Sequence, residues 1–300
     1  MSAPSAGQGA AGHGSAGQTS TGRTGPTRLK HAVLIGAGRM GSAMARGWLN
    51  DLNSAGLARL SVVEPMPDDD VVEAANENLI ALNPEPELAD IVVLAVKPQG
   101  FSAAIDSLKA WVGPETLVVS IMAGVTIARI GQALGVTKIA RAMPNTPGAI
   151  GMGATAFALS DACSDAESVV TGKLLEPLGL VIGPLGEDKM DAVTAVSGSG
   201  PAYVFLLVEA LAAAGRSAGL GEATALALAR ETIVGAGALL GESGESPADL
   251  RKAVTSPGGT TAAALDVLMS AGGLPDLMRK AVDAAVRRGA ELAREADKKG

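Results

Sequence analysis

The segment Gly36-Ala37-Gly38-Arg39-Met40-Gly41 is a G-x-G-x-x-G, a spacing that can hold a pyrophosphate against the peptide backbone. The first glycine permits a tight turn, the second lets a phosphate approach the main chain, and the third lets a helix lie close on a sheet. The phosphates would meet the free N–H groups and positive dipole end of the helix that follows. With 39 glycines in 300 residues the string alone says little. Its setting says more: it follows an apolar run, His31–Ile35, and opens a helical pattern, Met40–Leu49. A turn without ligand is the structural alternative.

Glu64 ends the second apolar run, where an acid accepts the ribose hydroxyls of a dinucleotide. A carboxylate there repels the extra phosphate of NADPH, and Pro65-Met66-Pro67 offers no cation to bind it. The cofactor expected is NADH or NADPH, with the choice tilted toward NADH. Arg39 argues the other way, because it can reach that phosphate; a solvated strand end is the plain alternative for Glu64. Two further run ends, Ala95-Val96-Lys97-Pro98 and Ile121-Met122-Ala123-Gly124, fall at the edge where open α/β sheets bind ligands. Lys97 touches the cofactor there or is a surface lysine, and small Ala123 lets the cofactor approach. Asn145, in Met143-Pro144-Asn145-Thr146-Pro147, can bond a carboxamide or ribose, or simply belongs to a proline-fixed loop.

A second stretch, Val254-Thr255-Ser256-Pro257-Gly258-Gly259-Thr260-Thr261, is hydroxyl-rich and runs into a helical pattern. Exposed N–H groups at a helix start, with Ser and Thr hydroxyls nearby, can hold a carboxylate. On local physics alone, ordinary helix capping is the better reading.

The elements that must position these residues follow from periodicity. Short apolar runs at His31–Ile35, Leu60–Glu64, Ile91–Val96, Leu117–Met122 and Lys138–Met143 alternate with helical patterns after Gly38 and Pro67, over Gln99–Trp111 and near Ile127–Leu134. That is an α/β pattern, a parallel sheet covered on both faces. Ala154–Leu159 and Leu180–Ile182 would add edge strands. From Asp188 onward only helices are expected: Pro201–Ala214, Glu222–Leu240, Pro247–Val254, Thr261–Met269 and Pro275–Ala296. Several are apolar on more than one face, which suggests burial against a second subunit; a compact monomeric bundle is the alternative. The organisation expected is a disordered tail over 1–28, a dinucleotide-binding domain over 29–186 and a helical substrate-binding and dimerisation domain over 187–300.

Composition removes other classes. Aromatics make up 2% and the net charge is -7, with no basic stripe, which disfavours a nucleic-acid partner. The longest apolar run, Ala202–Gly215, contains Glu209 and is shorter than the ~20 residues a bilayer span needs, so no membrane role is expected. Cys163 is the sole cysteine, and with only His13 and His31 no zinc cluster is expected. A reducing compartment fits, and the cytoplasm is the expected location.

Gly36–Gly41, Ala95–Pro98, Ala123–Val125, Arg141–Pro147, Ser197-Gly198-Ser199-Gly200-Pro201-Ala202-Tyr203 and Ser256–Thr261 occur in this order. From about Lys30 to Leu292 the chain thereby resembles the pyrroline-5-carboxylate reductases. The resemblance implies a Rossmann-type doubly wound domain followed by an all-α dimerisation domain, with the active site between them. It implies reduction of 1-pyrroline-5-carboxylate to L-proline with NAD(P)H, in a homodimer through the helical domain or a higher homo-oligomer. Carried over, Ser256 and the N–H groups around Gly259 and Thr260 would hold the carboxylate, and Thr261 would hydrogen-bond the ring nitrogen. Gly36, Gly38, Arg39, Met40, Gly41, Glu64, Ala95, Lys97, Ala123 and Asn145 would bind the cofactor. The N-terminal tail departs from the family, as does Arg39 where Asn is frequent.

The chemistry is consistent with one omission. Ketone reduction leaves an alkoxide and needs a general acid, which the related hydroxyacid dehydrogenases supply as a lysine after a Gly-x-Gly. No lysine occurs here between Lys189 and Lys252. A protonated imine already carries its proton, so orientation and a partner for the N–H suffice. Two alternatives stand beside this: a carbonyl or hydroxyacid dehydrogenase on the same scaffold, and a non-enzymatic NAD(P)-sensing dimer.

Overall fold

The computed structural model describes residues 30–53 and 55–297; the tail expected over 1–28, with His13, lies outside them. In chain order the first part comprises β1 (Lys30–Ile35), α1 (Arg39–Asn50), β2 (Leu57–Val63), α2 (Asp69–Asn76), β3 (Ala81–Leu82), β4 (Ile91–Leu94) and α3 (Pro98–Lys109). Then come β5 (Leu117–Ser120), α4 (Ile127–Leu134), β6 (Ile139–Met143), β7 (Gly153–Leu159), α5 (Asp165–Leu175) and β8 (Gly179–Leu185). The strands form one sheet in the order β3-β2-β1-β4-β5-β6-β7-β8. All neighbours are parallel except β6 and β7, so the last two strands run against the rest.

Alternation along each strand divides the core in two. Ala32, Leu34, Ile91, Val93, Leu117, Val119, Ala140 and Ala142 pack with Met44 and Trp48 of α1, Val71 of α2 and Leu174 of α5. Val33, Ile35, Val92, Leu94, Val118 and Ile139 pack with Phe101 and Leu108 of α3 and Ile130 and Leu134 of α4. Every residue of β4 and β5 is buried, as strands covered on both faces require. Trp48, fully buried, also donates its indole N–H to the Leu174 carbonyl at 2.9 Å, joining α1 to α5.

Three features differ from the sequence expectation. β7 lies inside the sheet, between β6 and β8, rather than at its edge. The two-residue β3 is too short to leave a pattern. Helix α5 was not expected, although Ser164 and Glu167 form the reciprocal capping box that announces a helix start.

Beyond β8 the chain is helical: α6 (Met190–Val193), a π-helical turn (Thr194–Gly198), α7 (Gly200–Ser217), α8 (Glu222–Glu242), α9 (Pro247–Ala253), α10 (Thr260–Leu268) and α11 (Leu274–Asp297). Helical structure therefore begins well before Pro201, with a 3-10 turn over Glu187–Lys189 that runs into α6. Gly198-Ser199-Gly200, which reads as a break, is absorbed by the wider turn, with Ser199 N–H donating to the Thr194 carbonyl at 2.8 Å. Helices α7 and α8 pack through small residues: a Cβ on Gly215 would lie 3.3 Å from Ala225 Cβ. Helix α11 packs back on α6 and the π turn. The outer faces of this arm are apolar and open, with Phe205 61%, Leu206 63% and Leu228 55% exposed. Against the sequence reading, the stretches Glu187–Ser217 and Glu222–Glu242 are long and apolar enough to cross a membrane by length and composition.

Candidate active site

The glycine fingerprint forms the turn between β1 and α1. Gly36 has φ +94°, and a Cβ there would come within 2.9 Å of the Ala95 carbonyl group, so the crossing of β1 and β4 ends excludes a side chain. A Cβ on Gly41 would collide with the Gly36 carbonyl oxygen, which is why α1 can start so close to the strand. Gly38 has nothing within 4 Å of its Cβ position, leaving open space over the loop. It is the N-cap of α1 and supplies no side-chain cap, so the first amides of the helix face that space. Ser42 fixes the loop from below, its hydroxyl donating to the Ala37 carbonyl at 2.6 Å. Arg39 is exposed and Met40 half-buried.

Glu64 stands beside this loop. One carboxylate oxygen accepts the Ala37 N–H at 2.8 Å and the other the Met66 N–H at 3.0 Å. Asn83 holds the Glu64 backbone from the far side, through Glu64 N–H to Asn83 Oδ1 (2.9 Å) and Asn83 Nδ2 to the Glu64 carbonyl (3.0 Å). The acid is thus tied to the glycine loop rather than free in solvent.

β1 is followed by a strand on one side, β2, and flanked on the other by β4. The sheet order reverses there, which opens a crevice at the carboxyl ends. Ala95 seals its floor, donating its N–H to the Ile35 carbonyl at 2.8 Å. Lys97 and Ala123 are exposed along the same edge, Lys97 as the N-cap of α3 and Ala123 beside Gly124 with φ +73°.

Farther along the edge, a cavity of about 480 Å³ lies between the β6–β7 connection and the root of the helical arm. Asn145 and Pro147 form one wall; Val196, Ser197, Tyr203 and Met278 form the other. Asn145 Oδ1 is engaged by the Ala154 N–H at 2.9 Å, which turns its amide NH₂ into the group able to donate to a ligand. The Tyr203 hydroxyl donates to the Ala195 carbonyl at 3.1 Å and braces the π turn. Sequence reasoning identified Asn145 but not this wall. The Ser197–Tyr203 motif was its only sequence signal, and nothing marked Met278.

Ser256, Gly259, Thr260 and Thr261 form a tight turn into α10. Gly258 has φ +69°, and Gly259 N–H donates to the Ser256 carbonyl at 3.0 Å. A Cβ on Gly259 would strike Ser256 Oγ, so the missing side chain keeps that hydroxyl over the helix start. The Gly259 amide is therefore spent inside the turn, and the amides available to an anion are the first ones of α10, from Thr260 onward. Thr261 is half-buried. This loop does not line the cavity: the structure brings together the fingerprint, Glu64, Ala95, Lys97, Ala123 and Asn145 along one sheet edge and places the hydroxyl loop elsewhere on the chain.

His31 takes no part. Its Nδ1 faces Arg59 Nη2 at 3.1 Å and its Nε2 faces Ser61 Oγ at 3.0 Å. Arginine only donates, so Nδ1 accepts and Nε2 carries the proton. Burial first, then the Arg59 charge, lowers its pKa.

A switch-point crevice with a glycine fingerprint, an acid at the end of β2 and an adjoining helical arm defines a dinucleotide-dependent oxidoreductase. Residues 31–124 match the family described as NADP oxidoreductase, coenzyme F420-dependent, and residues 187–292 match pyrroline-5-carboxylate reductase dimerisation. The chain is 35% identical to the pyrroline-5-carboxylate reductase of Arabidopsis thaliana over 260 residues, covering 86% of this chain and 94% of that one. It is 43% identical to that of Pseudomonas aeruginosa over 208 residues, 69% and 76% of the two chains. The solved pyrroline-5-carboxylate reductase from Coxiella burnetii superposes with a TM-score of 0.78 at 35% identity, over 88% of this chain and 98% of that one. The Plasmodium falciparum enzyme, solved with NADP bound, gives 0.68 at 26% identity over 89% and 99%. The chain belongs to the pyrroline-5-carboxylate reductase family. Its reaction is the reduction of the cyclic imine to proline with a nicotinamide cofactor, and the hydroxyacid-dehydrogenase and sensor alternatives lose their basis.

Proposed function

We propose that this protein reduces 1-pyrroline-5-carboxylate to L-proline at the cleft between the sheet's carboxyl edge and the helical arm. The observation that carries this is the alignment of the fingerprint, Glu64, Ala95, Ala123 and Asn145 along one edge that ends at the Asn145–Ser197 cavity. The bare amides of α1, the open space over Gly38 and the Glu64 carboxylate fit a dinucleotide, with Lys97 and the Asn145 amide beside it. Bound there, the nicotinamide supplies the hydride. Ser256 and the first amides of α10 hold the substrate carboxylate, and the Thr261 hydroxyl accepts the ring N–H. No general acid is needed, because the protonated imine becomes a neutral amine.

The hydroxyl loop sits outside the cavity lining of its own chain, so we assign it to the cleft of a second copy. The dimerisation-family match over 187–292 supports this, and the apolar outer faces of α7 and α8 are the surface such a copy would cover rather than a membrane. The working division is a cofactor domain to residue 186 and a substrate and dimer domain from 187. The location proposed is the cytoplasm, in keeping with a sole thiol, Cys163, which has no cysteine to pair with in its own chain.

Glu64 gives the finer proposal, a preference for NADH, since its carboxylate lies where a 2′-phosphate would add like charge. Oxidation of NADH and NADPH is followed by absorbance with 1-pyrroline-5-carboxylate and product identification. Turnover to L-proline with a higher kcat/KM for NADH is the expected outcome. A higher value for NADPH would refute the preference alone, and no turnover with either would refute the reaction.

A further inference from the structure

Arg141 lies in the middle of β6, 6% exposed, and its alternation with Ala140 and Ala142 turns it toward the α3–α4 face. A buried guanidinium needs a counter-charge. It finds one outside the sheet: Arg141 Nη1 donates to Glu187 Oε1 at 3.1 Å, and the same oxygen accepts the Ile127 N–H at 2.8 Å. Ile127 is the first residue of α4, so its amide has no partner within the helix, and the carboxylate also meets the positive end of the helix dipole. Glu187 itself stands between β8 and α6, where the helical arm leaves the sheet.

One carboxylate thus joins three parts of the cleft: the strand leading to Asn145, the helix that follows the Ala123 loop, and the root of the arm. Two residues on along the same face of β6, Met143 packs against the π turn, and a Cβ on Gly198 would come within 2.7 Å of Met143 Cε. The cavity wall formed by Val196 and Ser197 is held against β6 below by the ion pair and above by the methionine–glycine contact.

We propose that Arg141 and Glu187 are a positioning pair that sets the distance between the arm wall and the carboxyl edge, and so aligns the imine with the hydride donor. This rests on the cleft being the reaction site. The test uses the full-length protein and measures kcat and KM for 1-pyrroline-5-carboxylate, the Kd for NADH, and hydrogen exchange over residues 190–203. In Glu187→Ala and Arg141→Met, kcat falls about 10- to 100-fold, as a misplacement of about an ångström produces. The Kd for NADH changes much less than kcat, within about threefold, because the fingerprint and Glu64 that hold the phosphates and ribose lie on the other half of the sheet and only the Ala123 and Asn145 contacts adjoin the pair. Arg141→Lys recovers part of the loss; Glu187→Gln, which keeps an oxygen for Ile127 without the charge, falls between. The Arg141→Met/Glu187→Gln pair is no slower than the worse single variant, as residues acting as a unit require. Exchange over 190–203 quickens in each variant while β1 is unchanged. Unaltered kcat and exchange with only a lowered Tm, additive losses, or a Kd rising in step with the fall in kcat would each overturn the proposal. Should Glu187→Ala fail to fold, Glu187→Gln decides it. A wild type inactive on the imine faults the reaction assignment alone, since exchange still tests the pair.

Discussion

Strands β4 and β5 bury every residue they contain, whereas α7, eighteen residues long, buries only Ala212. Both regions are strongly apolar, the strands through Val, Leu and Ile and the helix through Ala, Leu and Val, so hydrophobicity alone does not separate them. The central strands of the sheet are covered on both faces by helices of their own chain and satisfy their core within one copy, while the outer β8 leaves Leu180 and Ile182 exposed. The arm leaves its apolar faces open and its hydroxyl loop away from the cavity. On the proposed reading, cofactor binding belongs to the part whose central core is complete in one copy, and substrate binding to the part that is not.

The strongest test attacks the arm. Leu206→Glu with Leu228→Glu places charges on the open faces of α7 and α8 and should prevent association, seen as a halved mass in sedimentation. Proline formation should be lost almost wholly while NADH binding persists; an active monomer would break the comparison. Next in size, Thr261→Ala should lower kcat/KM about 100-fold with little change in Kd for NADH. On the sheet side, Gly41→Leu drives a side chain into the Gly36 carbonyl and should raise the Kd for NADH at least about tenfold, without altering assembly. Mixed dimers of the Thr261→Ala and Gly41→Leu chains sharpen the contrast. A loop acting in the second copy restores one good site per mixed dimer, roughly a quarter of wild-type activity after random pairing; a loop acting in its own chain restores none.

The smallest effect lies at the rim of the sheet. Glu167 accepts hydrogen bonds from the Ser164 hydroxyl and N–H and pairs with Lys138 at 3.3 Å. The Ser164 hydroxyl is the leading cause that holds its pKa down, to about 2 against an ordinary 4.5. A depressed carboxylate stabilises the fold above its unfolded pKa and loses that contribution as pH falls through its folded one. Thermal melts between pH 5 and 2 should show Glu167→Gln converging on wild type, from a difference of about 2–4 °C at the upper end, the shift of about 1 kcal/mol in a chain this size. A constant difference would remove the ionised form from the explanation. Activity should not change, because the residue is remote from the cleft.

The sheet was the more legible region. Runs such as Ile91–Leu94 and Leu117–Val119 are continuous and aliphatic, and a two-sided core accepts them. The fingerprint was legible through its setting between a strand and a helix. What failed depended on three dimensions. Gly198-Ser199-Gly200 reads as punctuation, yet a wider helical turn carries the chain through it. The two backbone N–H groups that occupy Glu64 are brought to it only by the folded loop. In the Ser256–Thr261 loop local physics pointed to side-chain capping, yet Gly259 is the N-cap of α10 and no Ser or Thr side chain caps it; the Gly259 amide is used by a backbone bond within the turn. Its proposed role as a carboxylate site rests on the resemblance. Glu187 and Met278 had no pattern at all, because their partners lie 46 residues away at Arg141 and across the cavity from α11.

The open faces of α7 and α8 have a consequence for how the activity scales. If the site is split between copies, as proposed, turnover per chain would follow mass action: it would saturate where the copies are associated and collapse on dilution faster than the protein itself. Doubling synthesis at low abundance would then more than double flux, so the amount of enzyme becomes a switch as well as a throttle.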